Sequence, residues 1–219
     1  MFIVERKPKS ISAEAYRTLR TNIQYSSYDK KIKKILVTSS EPSEGKSTII
    51  GNLAVSLSQS ENTVIILDCD LRKPTMHKKF KISNEVGLTE LLVGKKELKD
   101  VVQYRNKHLH IITSGKIPPN PAEMLASKSM ERLLEQLANE YDYILMDTPP
   151  LNAVTDAQVL STEVDGTLIV IRSEKTKKES ILTAKNLLQK VNANILGIVF
   201  NDVANSINKY YYYYGEDKK

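Results

Sequence analysis

A glycine-containing loop between a strand pattern and a helix pattern constrains this chain most. The apolar run at residues 35–37 is followed by the sequence SSEPSEGKST at positions 39–48 and then by a helical pattern. This order is typical of a phosphate-binding loop, although Ser40 stands where that motif has its first glycine. The tetrapeptide GKST alone could be merely a helix start. Its place between a strand and a helix favours a nucleotide site.

The residue types of this loop suit a nucleotide phosphate. Gly45 permits close approach of the backbone, Lys46 supplies positive charge, and the Ser47 hydroxyl is a candidate ligand for Mg²⁺. The dipole at the start of the following helix favours the same anion. We therefore assign ATP binding to Ser40, Glu41, Pro42, Ser43, Glu44, Gly45, Lys46, Ser47 and Thr48.

Short apolar runs alternate with helical patterns along most of the chain. The strand candidates are residues 35–37, 64–67, 109–113, 143–146, 167–171 and 195–200. Apolar residues three and four positions apart between them predict crossover helices. This alternation predicts an α/β fold with a mostly parallel sheet covered by helices on both faces. Ligands bind such sheets at the carboxyl ends of the strands.

Acidic residues follow two of these predicted strands. Asp68 and Asp70 are two positions apart, so their side chains point the same way at a strand end and can face one cation. Asp147 follows another buried strand in the Walker B position and could hold Mg²⁺ directly or through water. Aspartates at such places also serve as helix caps or in turns. Three carboxylates exceed the need of an ordinary NTPase, and the surplus one could accept a proton.

Composition narrows the class and location of the protein. At 219 residues with 41% hydrophobic content, the chain is expected to form one domain. One cysteine, no secretory signal pattern and no apolar run near 20 residues predict a cytoplasmic protein without its own membrane span. The net charge of +6 is spread along the chain without interleaved aromatic residues, which argues against nucleic-acid binding.

Both ends of the chain fall outside the alternation. Residues 1–30 are predicted to open as a polar, extended stretch, followed by a helix from Ser12 or Ala13 to about Tyr25. Residues 203–219 are predicted to be a flexible tail after a domain of residues 1–202. Consecutive side chains cannot all face one core, so the tail's tyrosine run is expected to be a substrate rather than a packing strip. These tyrosines are Tyr210, Tyr211, Tyr212, Tyr213 and Tyr214.

These motifs together resemble the bacterial tyrosine kinases of Gram-positive organisms that act in capsule and exopolysaccharide production. The resemblance rests on the EGKST loop, the Asp-x-Asp-x-Arg element, the Asp147 strand, the segment at residues 117–123 and the terminal tyrosines. It implies the deviant-Walker, partitioning-ATPase-like variety of the P-loop fold. It also implies autophosphorylation of the tail between subunits, with Asp68 approaching the tyrosine and Ser47, Asp70 and Asp147 managing Mg²⁺. The implied catalytic residues are Lys46, Asp68, Asp70, Arg72 and Asp147.

The same resemblance implies partners. Glu14, Arg17 and Arg20 match a family element that docks the first helix on a neighbouring subunit of a ring, although residues three apart could equally form a solvated surface with local ion pairs. A transmembrane adaptor would activate the kinase and hold it at the inner face of the plasma membrane, and a tyrosine phosphatase would oppose it. Asn201 is a candidate for adenine contact by position only.

Two other functions fit parts of the sequence. The first is a deviant-Walker ATPase switch without kinase activity, but such proteins carry a lysine and two glycines where this loop has Glu41, Pro42 and Ser43. The second is a non-catalytic subunit that binds ATP and uses its tail for docking. The intact Lys46 and the acidic residues argue against this second function.

Overall fold

The computed structural model describes residues 2–26 and 31–203, and seven strands of this part form one sheet. The strands are β1 (Lys34–Ser39), β2 (Val64–Asp68), β3 (Val102–Asn106), β4 (Leu109–Ile112), β5 (Tyr143–Asp147), β6 (Gly166–Arg172) and β7 (Ile195–Asn201). Their order across the sheet is β3-β4-β2-β5-β1-β6-β7. Only the β3–β4 pair is antiparallel. The predicted mostly parallel α/β fold is confirmed.

Ten helices of the described part connect or flank these strands. They are α1 (Ile3–Arg6), α2 (Ile11–Gln24), α3 (Lys46–Ser58), α4 (Met76–Phe80), α5 (Leu88–Leu92), α6 (Leu98–Val101), α7 (Pro121–Leu125), α8 (Lys128–Glu140), α9 (Asp156–Leu160) and α10 (Lys178–Gln189). None of the helices in residues 2–26 and 31–203 combines the length and apolarity that crossing a bilayer requires.

The central strands bury side chains on both faces of the sheet. Leu36 and Ile65 belong to one apolar cluster, which α8, α9 and α10 cover, whereas Ile35 and Ile66 belong to another, beneath α2 and α3. Successive side chains of a strand point to opposite faces, so continuous apolar runs are what such a strand needs. This double burial explains why the runs in the sequence located β1, β2, β5 and β6 correctly.

Two elements differ from the sequence prediction. The expected extended opening is wrong, because residues 3–6 form α1, whose Val4 is fully buried. The predicted helix that follows is confirmed as α2, with the Ser10 side chain accepting a hydrogen bond from the Ala13 N–H at its start. Strand β3 was not predicted, since its sequence VQYRN is largely polar and exposed at the sheet edge.

Candidate active site

The predicted phosphate loop lies between β1 and α3 at the carboxyl end of the sheet. Gly45 precedes α3 with a φ of 95°, in the left-handed region that favours glycine. A Cβ atom on Gly45 would lie 2.0 Å from the amide nitrogen of Asn201. The Asn201 amide donates to the Glu44 carbonyl at 2.9 Å, so the end of β7 touches the loop. Glycine is therefore required here by both conformation and space.

Lys46 begins α3 and is buried, with 8% of its surface exposed. Within the described part of the chain, its ammonium group forms no ion pair. Burial raises the pKa of Asp147, and the nearby Lys46 charge opposes that rise. A buried lysine without a direct carboxylate partner keeps its positive charge available to an anion in the loop.

Asp68 and Asp147 occupy matching positions at the ends of the neighbouring strands β2 and β5. Both side chains are buried, and one oxygen of each, Oδ1, has no hydrogen-bond partner among the described residues. Burial first, and repulsion from Asp147 second, raises the pKa of Asp68. Two buried carboxylates side by side are unfavourable unless a cation or proton reaches them.

Hydroxyl and amide groups fix the other oxygen of each carboxylate. Ser47 Oγ donates to Asp147 Oδ2 at 2.6 Å, and Thr75 Oγ1 donates to Ser47 Oγ at 2.8 Å. The N–H groups of Thr75 and Met76 donate to Asp68 Oδ2 at 3.1 and 2.9 Å. The start of α4 thus locks Asp68 in place and leaves only Oδ1 for other chemistry.

Oxygen donors of this kind suit Mg²⁺. The Ser47 hydroxyl adjoins Asp147, whose Oδ1 has no partner in the described part of the chain, and these are the ligand types that Mg²⁺ prefers. The described residues contain no group of three acidic, histidine or cysteine side chains that could hold a metal by themselves. The assignment of Ser47, Asp70 and Asp147 to one Mg²⁺ therefore stays a prediction. Asp70 accepts a hydrogen bond from the Lys73 N–H at 3.0 Å in a more open position.

Arg72 has a partner within its own chain. Its Nε and Nη2 atoms each donate to an oxygen of Asp156 at 2.9 Å, in a bidentate pair. Asp156 begins α9 and is fully buried, while the Arg72 side chain is 40% exposed. The pair holds the segment after β2 against α9. Arg72 is thereby fixed beside Asp156, within electrostatic reach of Asp70.

Known proteins resemble this chain over nearly its whole length. Residues 31–216 match the ParA family, described as NUBPL iron-transfer P-loop NTPase. The chain is 46% identical over 214 residues to the tyrosine-protein kinase YwqD of Bacillus subtilis, covering 97% of this chain and 90% of that protein. The chain belongs to the bacterial tyrosine kinases. Against the putative tyrosine-protein kinase CapB of Staphylococcus aureus, identity is 41%, covering 98% of the kinase and 95% of CapB.

A solved structure agrees with this assignment. The kinase matches the crystal structure of the chimerical protein CapA2B2 with a TM-score of 0.89 and 37% identity, covering 92% of this chain and 89% of that one. The family is one of P-loop NTPases, so nucleotide binding follows for the kinase. Enzymatic tyrosine phosphorylation is thus favoured over an ATPase switch without kinase activity.

Glu14, Arg17 and Arg20, the predicted docking element of α2, differ in their hydrogen-bond partners. The Glu14 and Arg17 side chains pair at 2.6 Å, and Arg17 also donates to the Pro8 carbonyl at 2.6 Å. Arg20 instead donates to the Ser56 carbonyl at 2.8 Å and to Ser60 Oγ. The Ser56 carbonyl is among the last four of α3, which lack partners inside the helix. Arg20 therefore attaches α2 to α3 of the same kinase chain.

Several side chains at the site escaped the sequence prediction. Thr75 and Lys79 contact Ser47 and Thr48, with Lys79 Nζ donating to Thr48 Oγ1 at 3.0 Å. A hollow of about 460 Å³ beside the phosphate loop is lined in part by Arg172 and Thr176. Thr75 and Lys79 belong to no recognisable sequence motif, so nothing in the sequence indicated that they contact the phosphate loop. The predicted tail tyrosines lie outside the described residues.

Proposed function

We propose that the kinase transfers the γ-phosphoryl group of ATP to tyrosine hydroxyls, including those of its own tail, Tyr210 to Tyr214. One observation carries this proposal: Asp68 and Asp147 present oxygens without a partner among residues 2–26 and 31–203, beside the Ser47 hydroxyl of the phosphate loop. A second copy of the chain supplies the tail. About fifteen extended residues span roughly 50 Å, which is sufficient to reach a neighbouring site.

Each residue has a separate task in this proposal. The loop N–H groups and Lys46 bind and orient the phosphates, and Ser47, Asp147 and the more exposed Asp70 hold Mg²⁺. Bound Mg²⁺ neutralises charge on the phosphate oxygens. Transfer forms a bond from the tyrosine oxygen to the γ-phosphorus and breaks the bond to the β,γ-bridging oxygen. The phenol proton passes to Asp68 Oδ1, and ADP leaves.

The hollow beside the phosphate loop is the proposed place for the base and ribose. Glu41 and Pro42 form one side of it, and Arg172 and Lys175 form the other. The Asn201 side chain touches the loop at the Glu44 carbonyl. In this proposal Asn201 acts on the nucleotide by fixing the loop, which refines its assignment as an adenine contact.

The assembly is the next part of the proposal. Residues 1–202 act as one kinase domain, whose α2 docks on the neighbouring copy of a ring, and residues 203–219 carry the tyrosines. A transmembrane adaptor holds the kinase at the inner face of the plasma membrane and activates it, and a tyrosine phosphatase reverses the modification. Each phosphate adds about −1.5 to −2 charge, so full modification outweighs the net charge of +6 and loosens the ring. Capsular or exopolysaccharide synthesis is the regulated process.

Mapping of phosphate tests the catalytic part. The purified chain is incubated with ATP and Mg²⁺, with and without the adaptor's cytoplasmic segment, beside a Lys46→Met control. We expect phosphate on Tyr210 to Tyr214 and none in the control. ATP hydrolysis with an unmodified tail in both conditions would instead establish an ATPase switch.

Light scattering of separated species tests the ring. Arg17→Ala should shift the assembly toward the monomer, because Arg17 is partly exposed on α2. Arg20→Ala should destabilise the monomer itself, since Arg20 joins α2 to α3 and the segment after it, whereas the partners of Arg17, Glu14 and Pro8, lie within ten positions of it along the chain. The charge argument fails if the oligomer keeps its size after full phosphorylation.

A further inference from the structure

Glu44 is an unexpected residue in a loop that binds phosphate. It lies directly before Gly45, and only 3% of its surface is exposed. A carboxylate so close to a triphosphate repels it through Coulomb interaction. This repulsion weakens nucleotide binding, so the benefit that offsets it is expected in the structural contacts of Glu44.

Inside the loop, Glu44 ties the first half to the second. Ser40 Oγ donates to both carboxylate oxygens, at 3.2 Å to Oε1 and 3.0 Å to Oε2. The Glu41 N–H donates to Oε2 at 2.8 Å. Ser40, which stands where the usual motif has its first glycine, therefore closes the loop on Glu44 through its side chain.

Outside the loop, Glu44 is held by the ends of two strands. Thr176 Oγ1 donates to Glu44 Oε1, and the same hydroxyl oxygen accepts from the Arg172 N–H at 2.9 Å, just where β6 ends. Asn201, the last residue of β7, donates to the Glu44 carbonyl at 2.9 Å. Both the side chain and the backbone of Glu44 are thus attached to the β6–β7 edge of the sheet.

Every hydrogen bond that the described residues make to the Glu44 carboxylate is donated to it. A carboxylate accepts on every lone pair, and the Glu41 N–H can only donate. Glutamine keeps one accepting oxygen but turns a donor toward the remaining partners, and alanine removes every contact. The Glu41 N–H needs an acceptor and both hydroxyls at present donate, so the arrangement uses the acid for its acceptor capacity and not for a charge directed at the ligand.

We infer that Glu44 is a positioning residue for nucleotide binding, which acts by bracing the phosphate loop against Thr176 and Asn201. This inference rests on the proposed ATP-dependent function. The brace holds the loop N–H groups in the binding geometry before the nucleotide arrives, so less ordering is needed on binding. Its effect falls on ATP affinity more than on the rate of transfer from bound ATP.

Charge repulsion and bracing predict opposite changes in the ATP affinity of Glu44→Gln. If only the charge mattered, Glu44→Gln would bind ATP more tightly, because a repulsive charge is removed. If the brace matters, Glu44→Gln binds ATP more weakly than wild type and Glu44→Ala more weakly still, by roughly tenfold for the lost buried hydrogen bonds. Thr176→Val removes one donor and should weaken binding by about threefold.

Equilibrium titration with a fluorescent ATP analogue and Mg²⁺, followed by steady-state kinetics, makes the test. Glu174→Gln controls for net charge, because it removes an exposed acid from the turn just before Thr176. This variant should bind ATP at least as tightly as wild type. The Glu44→Ala/Thr176→Val double variant should bind no more weakly than Glu44→Ala, because both changes remove the same brace. The KM for ATP should rise while kcat at saturating ATP stays within about twofold.

Each result decides between the roles. Equal or tighter binding by Glu44→Gln and Thr176→Val overturns the brace, and additive losses in the double variant do the same. If Glu44→Ala does not fold, Glu44→Gln and Thr176→Val still carry the comparison. A wild-type chain that fails to bind the analogue at all would refute the ATP-dependent function itself, which is a separate outcome from unchanged variants.

Discussion

Replacing Gly51 with alanine tests how the N-terminal segment packs on the phosphate-loop helix. Gly51 lies inside α3, where alanine is normally more favourable than glycine by about 1 kcal/mol. However, a Cβ atom at Gly51 would lie 2.2 Å and 2.5 Å from two ring atoms of Phe2. The Phe2 ring is 8% exposed and packs against Phe80 at 4.8 Å between ring centroids. The ring must leave its place.

Helix propensity stabilises Gly51→Ala and displacement of the Phe2 ring destabilises it, so their relative magnitudes decide the change in the free energy of unfolding. Loss of the buried Phe2 ring costs about 2 to 3 kcal/mol, against a gain of about 1 kcal/mol from helix propensity. We expect Gly51→Ala to destabilise the chain by about 1 to 2 kcal/mol. In a Phe2→Ala background the obstacle is absent, and the same change should stabilise by up to about 1 kcal/mol.

Urea unfolding monitored by circular dichroism gives the four free energies of this double-mutant cycle. The expected coupling between the two positions is about 2 to 3 kcal/mol. A stabilising Gly51→Ala in the wild-type background, or additivity within about 0.5 kcal/mol, would refute the packing of Phe2 over α3. Chain-end truncation of residues 1–2 offers an independent route to the same background.

Three further outcomes follow from other contacts. Arg72→Ala should cost about 2 to 3 kcal/mol in urea unfolding and Asp156→Asn less, because the first leaves a fully buried carboxylate unpaired and the second leaves a partly exposed arginine. Hydrogen bonds from the Thr63 N–H, and then the Lys31 charge, lower the pKa of Asp142, so the stability advantage of wild type over Asp142→Asn should be full near neutral pH and shrink as pH falls below about 4. Asp147→Asn should raise the melting temperature of the nucleotide-free chain and abolish the additional rise that Mg²⁺ gives with ATP.

The sequence was sufficient for the elements that carry a regular pattern. Strands β1, β2, β5 and β6 are apolar on both faces, and α3 and α8 are long enough to show a helical period. The short helices α4, α5, α6, α7 and α9 have four or five residues, too few for that period to be visible. Strand β3 was missed because an edge strand that faces water needs no apolar run.

Only those residues of the candidate site that belong to a short sequence motif could be predicted from the sequence. The phosphate loop and the strand-end aspartates were found because the residue order along one segment identifies them. Asp156 was missed, since its partner Arg72 is 84 positions away, and Thr176 was missed because Glu44 is 132 positions away. Such pairs are decided by the crossover order of the sheet, which a single sequence does not encode in any short spacing.

The position of the acidic pair explains why the chain keeps an unfavourable arrangement at the centre of its sheet. Strands β2 and β5 are wholly apolar except for their last residues, Asp68 and Asp147, which lie directly opposite each other. Apolar residues there would extend the same core without a desolvation cost. The acids instead lie beside the start of α3, where Ser47 donates to Asp147, so in the function proposed above a bound cation removes their repulsion and joins loop and strands. The interaction that relieves the repulsion between the two acids therefore also favours ligand binding.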